Sequence, residues 1–505
     1  DIYELCCDRV NFPTISSRPS LSNVYSVNEY MNLVFPTQSA YDFIHRTLSF
    51  EQTDFDIPVL DNAKVSMSSS KDYVGKTYKL PLLCGKGERA RPNTWRQVLI
   101  SLSHRNFAAP QINEEHDQEF TSSVLFESLM NCMKLEKISE CFDVVEPCLN
   151  KIDMWLTTRD SRRFKGILNN LSYDVWVEQV TNLKLMVKGD MKPKLDESHY
   201  DKYAPPSNIV YYQQMINMFF SPVFLEIMGR IKYCLKDNIV LYGGMNLSEL
   251  GSVIKSKLTD PLPSYNYTEL DFSKFDKSQG SIIKMYEEMV YKFFKFSPNT
   301  YDNFKLSEYF CQASSNCGVK VDLFSSRRTG SPNTWLSNTL CTLAILSATY
   351  QLEDYDLILV SGDDSLLVSK NPVLNKAYEI NKNFGMECKF MEHPCPYFCS
   401  KFLVEVDDNC VIMPDLVKVF ERWSNPIPTD MMENDGVLKE RFTSYKDLLQ
   451  GYFNDNISFH LDILLSKRYF HPEGASYAAF CFIHVVLSNF RNFKEIFDTS
   501  SEVII

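Results

Sequence analysis

Two periodicities alternate along the chain. "SPVFLEIMGRIKYCL" (221–235) and "GSIIKMYEEMVYKFFKF" (280–296) space apolar residues three and four apart, with Ile282, Tyr286, Met289 and Phe293 on one face, and so predict helices. Residues 331–350 carry a helix start, because Ser331 suits an N-cap and Pro332 the first helical position. A further helix is expected from Pro372 to Phe384, with Val373, Ala377, Ile380 and Phe384 turned inward and Gly385 ending it. Period-two and continuous apolar runs predict strands at Tyr265 to Leu270, Leu357 to Val360 and Leu366 to Val368. The last hundred residues read as helices, including 437–453 and 475–497, whereas "TISSRPSLSNVYS" (14–26) and the Pro-Pro stretch "YDKYAPPSN" (200–208) read as loops. The pattern is that of an α+β chain with a helical C-terminal lobe.

The two apolar runs around residue 360 are separated only by Ser-Gly-Asp-Asp-Ser, which predicts a hairpin with a glycine at the first central position of a type II′ turn. Asp363 and Asp364 then sit at a tight tip. Adjacent carboxylates repel, and desolvating either is costly without a compensating cation or donor, so something positive is expected there. A third carboxylate comes from "YTELDFSKFDKSQG" (267–280), where Asp271 ends a strand and Asp276 follows just before a helix. Between the acids lies "SRRTGSPNTWLSNTL" (326–340), in which Gly330 allows a close backbone approach and Thr334 and Asn338 share a helix face. Asparagine is a poor helix-interior residue, so Asn338 either bonds locally or reaches a ligand.

Composition bounds the class without deciding it. With 505 residues, 44% apolar and 23% charged, the chain suits two to four folded domains and excludes disordered and collagen-like classes. Fifteen cysteines without a CxxC pair read as free thiols, and Cys388, His393, Cys395, Cys399 and Cys410 match no zinc spacing. No signal peptide is legible and no apolar run reaches membrane-span length; "ASYAAFCFIHVVLSNF" (475–490) reads as a core helix. The chain opens on Asp1, which leads to the expectation that it is excised from, or fused to, a larger product.

The net charge of −12 argues against nucleic acid until it is divided by segment. Residues 1–70 hold four Lys/Arg against nine acids and 405–505 nine against sixteen, whereas 71–105 hold eight against two and 159–194 eight against four. Such local positive charge suits a groove that contacts phosphates under an acidic outer surface.

In the order Asp-x4-Asp, Gly-x3-Thr-x3-Asn and Gly-Asp-Asp, the sequence resembles the RNA-dependent RNA polymerases of positive-strand RNA viruses, in the alphavirus-like group and, within it, the closteroviruses of the crinivirus branch. "DFSKFDKSQG" is similar to their motif A, "RRTGSPNTWLSNTL" to B, "SGDDSLLVS" to C, "NFGMECKF" to D and "PYFCSKFLV" to E; "KLMVKGDMKPKLD" (183–195) is similar to the finger motif F, and "SHRNFAAPQI" (103–112) matches a fingers segment. The resemblance covers roughly residues 85–420 and departs at Thr329, where serine is usual.

What the resemblance implies is a right-hand polymerase fold. Fingers would span about 1–260, with a further insertion at about 300–325, a palm 261–420 with an antiparallel sheet carrying the Gly-Asp-Asp hairpin, and a thumb 421–505. It assigns metal binding and catalysis to Asp271, Asp363 and Asp364, with two Mg²⁺ ions for which Mn²⁺ can substitute, and a general-acid role to Lys389. Nucleotide binding falls to Lys188, Lys192, Lys194, Asp276, Thr329, Gly330, Thr334 and Asn338, and RNA binding to Arg89, Arg91, Arg96, Arg327, Arg328 and Lys401. The implied partners are an RNA template and nascent strand, ribonucleoside triphosphates and an upstream replicase protein with methyltransferase and helicase parts, at membrane-associated complexes in the host cytoplasm. A reverse transcriptase is the nearest rival, and an idle scaffold or RNA-binding module the rival from another class.

Overall fold

The computed structural model describes residues 21–35, 63–67, 77–83, 93–107, 117–158, 180–188, 206–325, 327–433, 435–499 and 502–504. Its organising element is a five-stranded sheet made of β1 (Ile239–Leu241), β2 (Asn266–Phe272), β3 (Leu357–Ser361), β4 (Asp364–Ser369) and β5 (Cys388–His393), in the spatial order β5-β2-β4-β3-β1. The sheet is antiparallel around the hairpin, and the expectation of an antiparallel sheet is corrected at one edge, where β1 runs parallel to β3 with Ile239 opposite Ile358. Sequence patterning did not reveal β1, because a three-residue strand has no measurable period.

Unbroken apolar strands arise here because both faces are covered. On one face Leu357, Leu359, Leu366 and Val368 join a core with Leu250 and Ile254 of the helix Leu247–Lys257 and with Leu403 and Ile412. On the other, Ile358, Val360, Leu367, Leu270 and Phe272 enter a larger core under α1 (Ser281–Phe293) and α2 (Thr334–Thr349). Every residue of α2 from Leu336 to Leu346 is buried, the polar Ser337, Asn338, Thr339 and Thr342 included.

A second five-stranded sheet has the order Ala63–Met67, Val319–Phe324, Phe310–Ser315, Asn182–Val187 and Asn208–Tyr211. The segment 310–324 therefore leaves the first sheet and pairs with strands from earlier in the chain. Residues 401–406 and 409–414 form a hairpin, and the C-terminal helices share a third core with the helix Leu21–Val34, which packs beside Tyr477–Ser488. That N-terminal helix corrects the loop reading of 14–26 over its last six residues; 14–20 lie outside the described residues, as does most of 200–208.

Helix starts also moved. α2 begins at Thr334 rather than at Pro332, since Thr334 Oγ1 accepts from Ser331 N at 3.1 Å and donates to Arg328 O at 2.6 Å, closing a turn ahead of the helix. The helix expected from Pro372 starts at Ala377, and Gly385 ends it at φ 63°. On α1 the inward residues are Ile282, Ile283, Tyr286, Val290 and Tyr291, with Met289 and Phe293 only half-buried.

Gly251 lets the helix Leu247–Lys257 lie directly on the strand Asn409–Pro414: a Cβ there would fall on the Cys410 carbonyl oxygen. Backbone cannot yield as a flexible side chain does. Gly251→Ala is expected to destabilise the protein by about 1–3 kcal/mol in urea denaturation; an unchanged midpoint would show that the helix is free to shift.

Candidate active site

The acidic turn is built as its spacing suggests. Ser361 pairs with Asp364, leaving Gly362 and Asp363 as a two-residue loop, and Gly362 alone of the two takes positive φ, at 66°. A glycine at the first left-handed position matches the type II′ geometry. α2 holds the turn from below: Gly362 N donates to Thr339 Oγ1 at 2.9 Å, and Thr342 Oγ1 donates to Gly362 O at 2.8 Å. Ser361 Oγ donates to Tyr242 O at 2.9 Å and accepts from Trp335 Nε1 at 3.0 Å.

Strand register then aligns the acids. Lys389 stands opposite Asp271 across β5 and β2, and Asp364 opposite Ser361 across β4 and β3. The β4–β2 pairing sets Leu367 against Thr268 and Val368 against Tyr267; continued toward the turn, it brings Asp364 level with Asp271. Residues opposite one another project from the same face. Lys389, Asp271, Asp364 and Ser361 thus form a row on the Tyr267 face, with Asp363 exposed at the tip beside it. Lys389 is exposed on the edge strand.

A hairpin from the next sheet closes on this row. Cys399 and Ser400 connect Tyr397–Phe398 to Lys401–Val406, both with left-handed φ, and the Cys399 thiol donates to Asp364 Oδ2 at 3.3 Å. Burial, then the Asp364 charge, pushes that thiol well up, so it stays a protonated donor. Lys401 Nζ donates to Cys399 O at 2.9 Å and lies 5.1 Å over the Tyr242 ring, and burial lowers its pKa.

Asp276 and Asn338 meet directly, with Asn338 Nδ2 donating to Asp276 Oδ1 at 2.9 Å. Beside them Lys277 donates to His104 O at 2.9 Å, and burial, Lys274 and Arg105 lower its pKa to about 8. This cationic group on motif A was not singled out by patterning, because alternating Lys and Asp in a short segment resemble a solvated face.

Other expected residues have protein partners. Arg327 and Arg328 are 1% and 0% exposed, so the structure corrects their assignment to RNA. Arg327 is bound by Gln279 and Glu287, and Arg328 Nη2 donates to the Leu323 and Ser307 carbonyls at 3.1 and 3.3 Å. Gly330 allows approach to the chain's own strand: its N–H donates to Val210 O at 2.8 Å, and an added Cβ would come 2.5 Å from Tyr211 Cβ. Thr329 Oγ1 accepts from Val210 N at 3.0 Å, fixing the same junction. Arg96 is half-buried on the helix Trp95–Arg105, and Lys188 is exposed just past Asn182–Val187. Arg89, Arg91, Lys192 and Lys194 lie outside the described residues.

The sequence matches the family of RNA dependent RNA polymerases over residues 52–496. The chain belongs to the RNA-dependent RNA polymerase family. It is 31% identical to replicase polyprotein 1ab of Beet yellows virus over 480 residues, which are 93% of this chain and 15% of that protein. Identity to replicase polyprotein 1ab of Grapevine leafroll-associated virus 3 is 30%, over 98% of this chain and 18% of the relative. RNA-directed RNA polymerase 2a of Cucumber mosaic virus (strain K) is 27% identical, over 98% of this chain and 57% of the relative. The chain therefore spans less than a fifth of the two replicase polyproteins and just over half of the third relative.

Among the described residues, no three His, Cys, Asp or Glu side chains are close enough to hold a metal ion by themselves. The donor set nonetheless suits a hard cation. Mg²⁺ prefers oxygen ligands and is usually bound through one or two carboxylates together with substrate phosphates, rather than by a complete protein cage. Asp271 and Asp364, half-exposed at the turn end of one sheet face, and Asp363, exposed at the tip, would supply that share.

Beneath the acidic turn and its sheet, Arg327, Lys284, Glu287 and Glu308 form a buried group of two cations and two anions. Burial alone would raise the Glu287 carboxyl, but Arg327 and Lys284 hold it below the usual carboxylate value, so its stabilising share is present above that value and lost as pH falls through the depressed one. Glu287→Gln is expected to cost about 3–5 kcal/mol at neutral pH, read from chemical denaturation, because it leaves buried cations uncompensated. A loss below about 1 kcal/mol would mean that solvent reaches the cluster.

Proposed function

We propose that this chain synthesises RNA on an RNA template, by attack of a nascent-strand 3′ hydroxyl on the α-phosphate of a ribonucleoside triphosphate with release of pyrophosphate. The observation that carries this reading is the row of Asp271 and Asp364 on one sheet face, with Asp363 at the adjoining tip and the Asp276–Asn338 pair nearby. Asp271 and Asp363 would hold two Mg²⁺ ions, or Mn²⁺ in their place, with Asp364 a partial ligand. Bound there, the metals would supply charge neutralisation and a more acidic attacking hydroxyl. The protein's own contribution is positioning: the turn is pinned by Thr339 and Thr342, so the carboxylates need little reorganisation during the reaction.

Asp276 and Asn338 sense the ribose 2′ hydroxyl. Lys389, across the strand pair from Asp271, serves as proton donor to the departing pyrophosphate, a role worth roughly 10²–10⁴ in rate. The exposed Lys188 and the cations Lys274, Lys277 and Arg105 meet phosphates.

The architecture is a right hand. Its palm is the β1–β5 sheet, its thumb the C-terminal helical lobe, and its fingers the N-terminal region with the insertion near 300–325; support comes from the pairing of 310–324 with strands at 63–67 and 182–187. That the replicase polyproteins are several times longer favours an upstream replicase partner, through which the enzyme reaches membrane-associated complexes; no helix among the described residues is long and apolar enough to cross a membrane.

Primer extension on an RNA template tests the reading. Asp363→Asn removes charge and little volume, so incorporation should fall by several orders of magnitude, about 10³-fold or more, while melting temperature and RNA affinity stay near those of the parent chain. Activity within about tenfold of the parent would contradict the assignment.

A further inference from the structure

An asparagine beside a carboxylate can offer it either the amide oxygen or the amino group, and at Asn338 that choice is made elsewhere in the protein. Arginine has donors only. Buried Arg327 directs Nε to Gln279 Oε1 at 2.8 Å, with Nη2 on the same oxygen, and Nη2 also meets Glu287. Lys284 in turn bridges Glu287 and Glu308, which keeps the guanidinium in place. Gln279 is fully buried, so once its oxygen is held by the guanidinium its amino group must face the other way. There Nε2 donates to Asn338 Oδ1 at 3.0 Å. With Oδ1 occupied, Asn338 turns Nδ2 toward Asp276 Oδ1. The opposite order would set Asn338 oxygen against carboxylate oxygen and amino group against amino group, leaving buried polar atoms unsatisfied at both contacts.

We propose that Gln279, its amide polarity set by the buried Arg327, is a positioning residue for sugar selection, locking the Asn338 amide with its amino group toward Asp276. The second N–H of Asn338 and the second oxygen of Asp276 then form a donor and an acceptor side by side. A ribose 2′ hydroxyl, which both donates and accepts, satisfies the two together; a 2′-deoxy sugar satisfies neither. The proposal rests on the reading of Asp276 and Asn338 as the sugar-sensing pair. It also gives Arg327 a part in nucleotide choice without any contact to RNA.

The test is single-nucleotide incorporation in the full chain, comparing kcat/KM for a ribonucleotide and its 2′-deoxy analogue in Gln279→Met, Gln279→Glu and, as reference, Asn338→Ala. Methionine matches the length of glutamine and offers no donor. Glutamate keeps an acceptor for Arg327 but turns an acceptor on Asn338 Oδ1, so it decides the matter should the methionine variant melt too low to assay. Both substitutions are expected to cut the ribose preference by about tenfold or more, with the loss falling on the ribonucleotide and RNA affinity unchanged. If Gln279→Glu keeps the preference within about twofold while Asn338→Ala narrows it, the positioning role is overturned. If Asn338→Ala also leaves the preference intact, the sugar-sensing reading itself fails, and the role of Gln279 with it.

Discussion

The register of β2 is the constraint on which the rest of the site depends. Tyr267 packs into the core on one side of the sheet, and Leu270 and Phe272 into the core on the other. Sliding the strand by one residue would exchange the two sets, moving Leu270 to the half-exposed place of Asp271 and carrying Asp271 into an apolar interior. Because both faces are buried, that slip is strongly disfavoured, and the energy that prevents it comes from apolar packing rather than from the acids. The same holds for β4, where Leu366 and Val368 on one face and Leu367 on the other leave Asp364 a single place. Charges that would repel if free to choose are held level by hydrophobic burial on neighbouring strands.

Beneath the sheet, a different economy operates. Four ionised side chains are removed from water in the cluster of Lys284, Glu287, Glu308 and Arg327, where apolar residues of equal volume would pack at lower cost. Such an arrangement has a use when direction matters: arginine donates and carboxylate accepts, so a chain of side chains between them has a sense that an apolar core lacks. Gln279 and Asn338 inherit that sense.

Much of this was legible in the sequence, for physical reasons. Unbroken apolar runs of strand length on either side of Gly-Asp-Asp admit few arrangements other than a buried hairpin, and Gly362 fixes the turn. That Asn338 needs a partner was legible because asparagine suits a helix interior poorly, whereas its association with Asp276 was only implied by the resemblance. Less readable was the fate of charged residues. Arg327 and Arg328 look like RNA ligands until Glu287 and Glu308, 40 and 20 residues or so earlier, are brought inside with them, and no local pattern announces that pairing. Lys284 and Glu287 even shift the inward face of α1, since periodicity counts them as solvent-facing. Thr339, Thr342 and Cys399 were missed because small polar residues inside apolar segments give no signal until the turn they hold is seen.

We propose that Asp271 and Asp364 on one sheet face, with Asp363 at the adjoining tip, hold a divalent cation. Ferrous iron takes octahedral oxygen sites like those of Mg²⁺, and with peroxide and ascorbate it cuts the backbone close to where it is bound. Cleavage mapping of the protein with RNA and nucleotide present should give cuts at the end of β2 near Asp271 and in the Gly362–Asp363 turn, both suppressed by excess Mg²⁺. Cuts confined to other parts of the chain, or cuts at these two places that Mg²⁺ does not suppress, would contradict it.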